Sequence, residues 1–325
     1  MRKRKKKLIL FAIISILVVI IVAVFLKLQQ NWKSLSTQFQ ESTDDGTITY
    51  GDKKYLYNEN LTNYLFLGID TRESVVKYPV RGEAGQADAI YLLSYDRKNK
   101  TAQCLAIPRD TMAEIRVFGP DGSELGTNKD QINLQYAFGA GKRNSCELMK
   151  EAVSKLLYNV PIRGYCSLNM DGIAPATEAI GGVELMVPDD TLADLNPDFY
   201  EGNIVTITKD TAEQFVRYRD IEKPQSAIAR MARQKAFMEA FAEKTKILVK
   251  SDSKIMSDIY ESVEDYMVTN MEIDLLLELA QVLDISETKI QDIPGKGVDG
   301  EEFDEYYIDE DMLQELILQI FYKEV

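Results

Sequence analysis

The chain has 325 residues, 45% of them hydrophobic, with 18 glycines and 9 prolines, which is too apolar and too poor in breakers for a disordered or collagen-like polymer. It has no histidine, so Ser/His/Asp and Cys/His catalysis and imidazole metal sites are excluded, and any metal must sit on carboxylates. The net charge is −14; seven of the 38 Lys and Arg lie in residues 1–27, which hold no acid, leaving 31 bases against 52 acids and a net of −21 that repels phosphate except at a local arginine cluster.

Residues 2–7 read RKRKKK, and Leu8–Leu26 then runs 19 residues without a charge, about 28 Å as a helix and enough for one bilayer crossing. The run exceeds the roughly 7–15 apolar residues of a cleaved signal peptide and leaves through Phe25, Leu26 and Lys27 rather than a small-x-small site. With the basic flank held inside, the expectation is a cytoplasmic tail at 1–7, a single-pass anchor in the cell membrane at 8–27, and an extracellular remainder. Seven inner residues hold no helix-turn-helix, so direct nucleic-acid binding is not expected. Residues 28–62, polar and including SLSTQFQESTDDGT, read as an extracytoplasmic stalk.

From residue 63 to 325 the pattern predicts a single mixed-sheet α/β domain flanked by helices. NYLFLGI, AIYLLSY, TAQCLAI, VELMV and IVTIT read as strands. Helical spacing marks SCELMKEAVSKLLYNV, DTAEQFVRY, IARMARQKAFMEAFAEKTKIL, DLLLELAQVL and MLQELILQIFYK. The turn-like DRKNK joins the second and third strands as an antiparallel hairpin. Cys104, Cys146 and Cys166 match no paired zinc spacing. Cys146 and Cys166 are a possible bridge on an oxidising face, but single cysteines in apolar segments are more often small core residues.

The charged motifs close strands. Asp70 follows NYLFLGI, Arg109 and Asp110 follow the strand ending Ile107, and the hairpin brings Asp88 beside Arg109. If the strands before Asp70 and Arg109 are parallel, all three collect on one sheet edge, where open α/β sheets bind ligands. Paired carboxylates suit Mg²⁺; on spacing alone, Asp70 and Asp88 read first as turn residues. Four arginines, Arg217, Arg219, Arg230 and Arg233, fall within seventeen residues. Arg230, Arg233 and Gln234 share a helix face continued by Phe237 and Phe241. Arginines placed among apolar residues need anionic partners, and the guanidinium fork suits phosphate oxygens; an ordinary charged stripe is the alternative.

The strings LFLGIDTRE, ADAIYLLSYDRKNKTAQCLAIPRDTM, INLQYAFGAG, VPIRGYCSLNMDGIAPATEAIGGVELMVP, FVRYRD and RMARQ, in that order, resemble the LytR-CpsA-Psr family. The resemblance implies a Mg²⁺-dependent phosphotransferase that moves a teichoic-acid or capsule glycopolymer from a polyprenyl pyrophosphate carrier to peptidoglycan. Asp70 and Asp88 fall on the family's magnesium aspartates. Arg109, Arg217, Arg219, Arg230 and Gln234 fall on its pyrophosphate-binding residues, with Arg233 beside them. Arg109, Asp110, Arg217 and Arg219 are the candidate catalytic residues. Three positions depart from the pattern: Gln86 stands where the family usually has arginine, with Arg81 a candidate substitute for the lost cation, and Ala227 and Ala229 replace its usual aspartate and glycine. A carrier that holds polyprenyl phosphate lipid without turnover, and a pyrophosphatase that uses water as acceptor, are the alternatives.

Overall fold

The computed structural model describes residues 40–41, 47–71, 81, 85–218, 226–252, 254–282, 290–300 and 303–325. The tail, the apolar run of 8–27, the first part of the stalk and Arg219 lie outside them. Among the described residues no helix is long and apolar enough to cross a membrane. In chain order the strands and helices begin with β1 (Gln40–Glu41), β2 (Thr47–Tyr50), β3 (Lys53–Tyr57), β4 (Leu61–Ile69), β5 (Ala87–Asp96), β6 (Thr101–Ala106), β7 (Met112–Phe118) and β8 (Glu124–Gln131). There follow α1 (Leu134–Ala137), α2 (Lys142–Leu156), β9 (Gly164–Asn169), α3 (Ile173–Ala179), β10 (Val183–Met186), β11 (Ile204–Ile207), α4 (Lys209–Arg217) and α5 (Ser226–Ser251). The last are α6 (Ile255–Val263), β12 (Met267–Thr269), α7 (Ile273–Val282), β13 (Ile290–Asp292), β14 (Gly295–Asp299), β15 (Asp304–Ile308), α8 (Glu310–Phe321) and β16 (Tyr322–Glu324).

The chain divides into a large unit, Glu59–Leu313, and a smaller one that joins described residues up to Asn58 with Gln314–Val325. In the smaller unit β1, β2, β3 and β16 form an antiparallel sheet. Gly51, at φ +60°, makes the two-residue turn between β2 and β3. Tyr57 and Tyr322 meet edge to face at 5.6 Å, and Lys53 pairs with Glu324 at 2.8 Å. Within the span read as stalk, TITY and KKYLY around Gly51 and Asp52 form a hairpin, and Tyr322 and Lys323 pair with it rather than ending the last helix.

In the large unit a six-stranded mixed sheet has the order β12-β9-β4-β5-β6-β13. β5 lies antiparallel to both β4 and β6, which makes β4 and β6 parallel to each other. The end of β4, the start of β5 and the end of β6 therefore share one edge of the sheet. Strand alternation sends Tyr64, Tyr91, Leu93, Tyr95, Cys104 and Ala106 to one face, covered by Met238 of α5 and Leu275, Leu276 and Leu279 of α7. Ser167 points to the face covered by α2, where Cys146 Sγ donates to its hydroxyl at 3.4 Å, while Cys166 packs with the opposite face. The bridge alternative between Cys146 and Cys166 thus meets the sheet itself, and all three cysteines are free thiols.

A second core joins β10, β11, α4 and α5: Val183, Leu185, Ile207, Phe215, Val216 and Phe237 are buried together, with Phe199 edge-on to Phe215 at 5.4 Å. Phe237 and Met238, adjacent on α5, enter different cores. The helix that carries Arg230, Arg233 and Gln234 is thereby fixed against both the sheet and α4.

Candidate functional site

Asp70 leaves β4 into a loop closed by main-chain pairing with Gln86: Asp70 N–H donates to Gln86 O at 3.1 Å, and Gln86 N–H donates to Asp70 Oδ1 at 2.6 Å. Gly85 makes this approach possible. Its φ is +82°, and a Cβ there would sit 2.3 Å from Thr71 Cγ2 and 2.7 Å from Asp70 Oδ1. Across the edge, Arg109 Nη1 pairs with Asp88 Oδ1, Arg109 Nε donates to Asp110 Oδ1 at 3.2 Å, and Arg109 Nη2 donates to Gln86 Oε1 at 3.4 Å. Gln131 Nε2 adds a 2.9 Å bond to Asp110 Oδ1, so Asp110 supports Arg109 from behind. Arg230, its side chain only 10% exposed, places Nη1 3.7 Å from Asp88 Oδ2. The strand directions therefore put Asp70, Asp88 and Arg109 on one sheet edge, and Asp110 from the same motif and Arg230 from α5 join them there.

The remaining arginines divide by role. Arg217 ends α4, whose start is fixed by a capping box between Thr208 and Thr211. It is 42% exposed, pairs with Glu213 at 3.3 Å, and lines an open depression with Asp210, Gln214 and Tyr218. Its charge reaches Asp70, lowering that carboxyl. Arg233 corrects the sequence reading. Its side chain is 1% exposed; Nε donates to Phe215 O at 2.9 Å, Nη1 to Asp189 at 2.9 and 3.1 Å and to Thr191 Oγ1, and Nη2 to Tyr218 O. Each of its nitrogens is engaged, so it has no fork to offer a phosphate. Gln234 Nε2 donates to Val216 O at 3.2 Å. Together they cap the carbonyls that a helix end leaves without intrahelical partners, and so hold Arg217 in place.

Arg81 is also placed elsewhere. Its guanidinium donates to Phe138 O at 2.7 Å and lies 4.5 Å over the Phe118 ring, contacts that do not replace the cation absent at Gln86. Sequence reasoning missed Gln86 as an acceptor, Gln131 as the support of Asp110 and Asp189 as the partner of Arg233. Only the VPDDT string hinted at the last, as an acid beside a strand.

Burial raises the Asp70 carboxyl above its ordinary value and the charge of Asp88 adds to this, against the lowering effects of the Gln86 N–H, Arg109 and Arg217. Burial likewise raises Asp110, opposed first by Arg109. Among the described residues no group of three or more His, Cys, Asp or Glu is gathered for a metal. Asp70, whose carboxyl feels the charge of Asp88, offers with it two oxygen donors of the kind a hard divalent cation takes. A carboxyl raised by folding stabilises the fold while protonated, and loses that contribution as pH rises through its folded value. Asp70→Asn, which keeps an oxygen for the Gln86 N–H, is expected to raise Tm at pH 7 by roughly 1 to 3 °C, with the gain shrinking in acid. A thermal scan of the metal-free protein showing no gain at pH 7 counts against a strained Asp70.

The α/β unit thus gathers the Arg109 and Arg230 guanidinium groups on Asp88 at one edge of its sheet, with the Asp70 carboxyl within reach of the Asp88 charge. The LytR_cpsA_psr family model matches residues 23–320, and the chain belongs to that family. A Bacillus cereus protein named polyisoprenyl-teichoic acid–peptidoglycan teichoic acid transferase TagU is 32% identical over 258 residues, 78% of this chain and 75% of its own. A Halalkalibacterium halodurans protein of the same name is 29% identical over 220 residues, 66% of this chain and 62% of its own. The B. subtilis TagV crystal structure overlays with a TM-score of 0.62 at 23% identity, covering 81% of this chain and 96% of that one. A structure described as TagT bound to LI-WTA does so at 0.58 and 20%, covering 81% and 90%. At these identities the structural matches establish the shared fold.

Proposed function

We propose that this chain transfers a glycopolymer of the teichoic-acid or capsule type from a polyprenyl pyrophosphate carrier to peptidoglycan, anchored through residues 8–27 with its catalytic unit outside the cell. The observation that carries the reading is the convergence of Arg109 and Arg230 on Asp88 beside Asp70, in a chain whose B. cereus relative bears the transferase name. Arg109 and Arg230 give up part of their pairing with Asp88 to hold pyrophosphate oxygens. Arg217, exposed and electrostatically coupled to Asp70, adds charge where the departing lipid phosphate becomes more anionic. Arg219 belongs to the same motif. Asp110 and Gln131 keep the Arg109 fork oriented. Asp70 and Asp88 would hold Mg²⁺, which supplies positive charge to the phosphate oxygens when bound.

The test incubates the full chain in detergent with a polyprenyl pyrophosphate glycan and a peptidoglycan oligosaccharide, with Mg²⁺ or with chelator. Linked product that requires Mg²⁺ and is lost in Asp88→Ala is expected. Tight lipid binding without any product favours the carrier reading instead. Phosphate released to water with no linked sugar favours the pyrophosphatase.

A further inference from the structure

Gln86 sits at the sheet edge between Asp70 and Arg109, and its geometry gives it a task of its own. Arginine only donates, so the Gln86 carboxamide must present its oxygen to Arg109 Nη2 at 3.4 Å, and Asn133 Nδ2 then donates to the same oxygen at 3.0 Å. Asn133 is wholly buried, and its main chain ties the same elements together: its N–H donates to Arg109 O and its C=O accepts from Ala87 N–H, both at 3.2 Å. Its Oδ1 is buried without a hydrogen-bond partner, a cost that the single orientation compatible with Gln86 and Arg109 imposes. Gln86 Nε2 has no partner among the described residues.

We propose that Gln86 is the positioning residue of Arg109: Asn133 fixes its carboxamide, and the carboxamide oxygen fixes the Arg109 fork. The inference rests on the transferase reading and makes a counterintuitive demand of it. An arginine at 86 would supply donors where Arg109 and Asn133 need an acceptor, so a cation is the wrong residue at this position of this chain.

The experiment is a double-mutant cycle in the full chain, with transfer kinetics read beside binding of geranylgeranyl diphosphate. Gln86→Met, which keeps the shape and removes the acceptor, is expected to lower kcat about tenfold with Tm unchanged, yet to change the residual rate or probe affinity less than twofold in an Arg109→Ala background. Gln86→Glu retains the acceptor and should hold kcat within about threefold of the starting protein, while its charge raises KM for the anionic lipid. Gln86→Arg is expected to stay below the starting protein in kcat. Equal losses from Gln86→Met in both backgrounds, or a Gln86→Arg protein as fast as the starting one, overturn the proposal. If the starting protein binds the diphosphate but forms no linked product, the transfer reading alone fails, and the cycle in probe affinity still decides for or against Gln86.

Discussion

Arg109→Ala is expected to lower kcat for glycopolymer transfer by about 10³-fold while the chain remains folded. One preorganised donor to a developing oxyanion is worth about 10² to 10³ in rate, and an arginine acting on a transferring phosphoryl about 10³ to 10⁵. Arg109 sits between these cases, because its fork is fixed on three sides by Asp88, Asp110 and Gln86 before any substrate arrives. The fold is expected to survive because Asp88 retains the Arg230 guanidinium 3.7 Å away and Asp110 retains Gln131. Arg109→Lys keeps the charge and loses the planar fork, so it should recover little of the rate. Single-turnover transfer with circular dichroism of the same samples checks this, and a loss below about tenfold in Arg109→Ala would remove Arg109 from the chemistry.

The Asp88–Arg109 part of the sheet edge was legible before the structure because it depends on the hairpin alone, while the direction of β4 that adds Asp70 remained a condition until the pairing was seen. DRKNK joins two apolar runs too closely for a crossover, so AIYLLSY and TAQCLAI had to be antiparallel, and Asp88 and Arg109 had to face each other. Periodicity also found α4 and α5. It could not tell Arg230 from Arg233, which share a helix face three residues apart: one reaches Asp88, the other is claimed by the loop holding Asp189 and by the end of α4. That choice is made by long-range packing, which spacing does not encode. The β7–β8 hairpin was missed for another reason. ELGTNKDQ is exposed over most of its length and shows no apolar alternation, although it pairs in register from Met112↔Gln131 to Val117↔Gly126 and, after a one-residue shift, at Phe118↔Glu124. Gln86 read as a lost cation because a departure from a pattern shows what has gone, and only the hydrogen bonds show what the new side chain accepts.

Arg233→Ala is expected to be the most destabilising single substitution among the site residues, lowering unfolding free energy by about 3 to 5 kcal/mol, as removal of one partner from a buried ion pair does. The guanidinium is held low by burial, with Asp189 opposing that effect, so desolvation is already offset by a fixed anion and two main-chain carbonyls. Its loss leaves Asp189 without its cation, held by the Thr191 N–H and hydroxyl, and leaves Phe215 O and Tyr218 O without their donor at the end of α4. For a unit of this size the corresponding fall in Tm is on the order of 10 °C. Arg233→Ala/Asp189→Ala should lose less than Arg233→Ala alone, because the half-buried carboxylate left without its counter-charge is gone, although its Thr191 bonds go with it and the uncapped carbonyls remain. Denaturant unfolding of the three variants measures this directly. A substrate-binding arginine would behave in the opposite way, costing activity with little change in Tm; if Arg233→Ala does that, the capping role fails. Where the capping role holds, activity measured well below the lowered Tm still drops in part, because Arg217 is carried by the helix end that Arg233 secures.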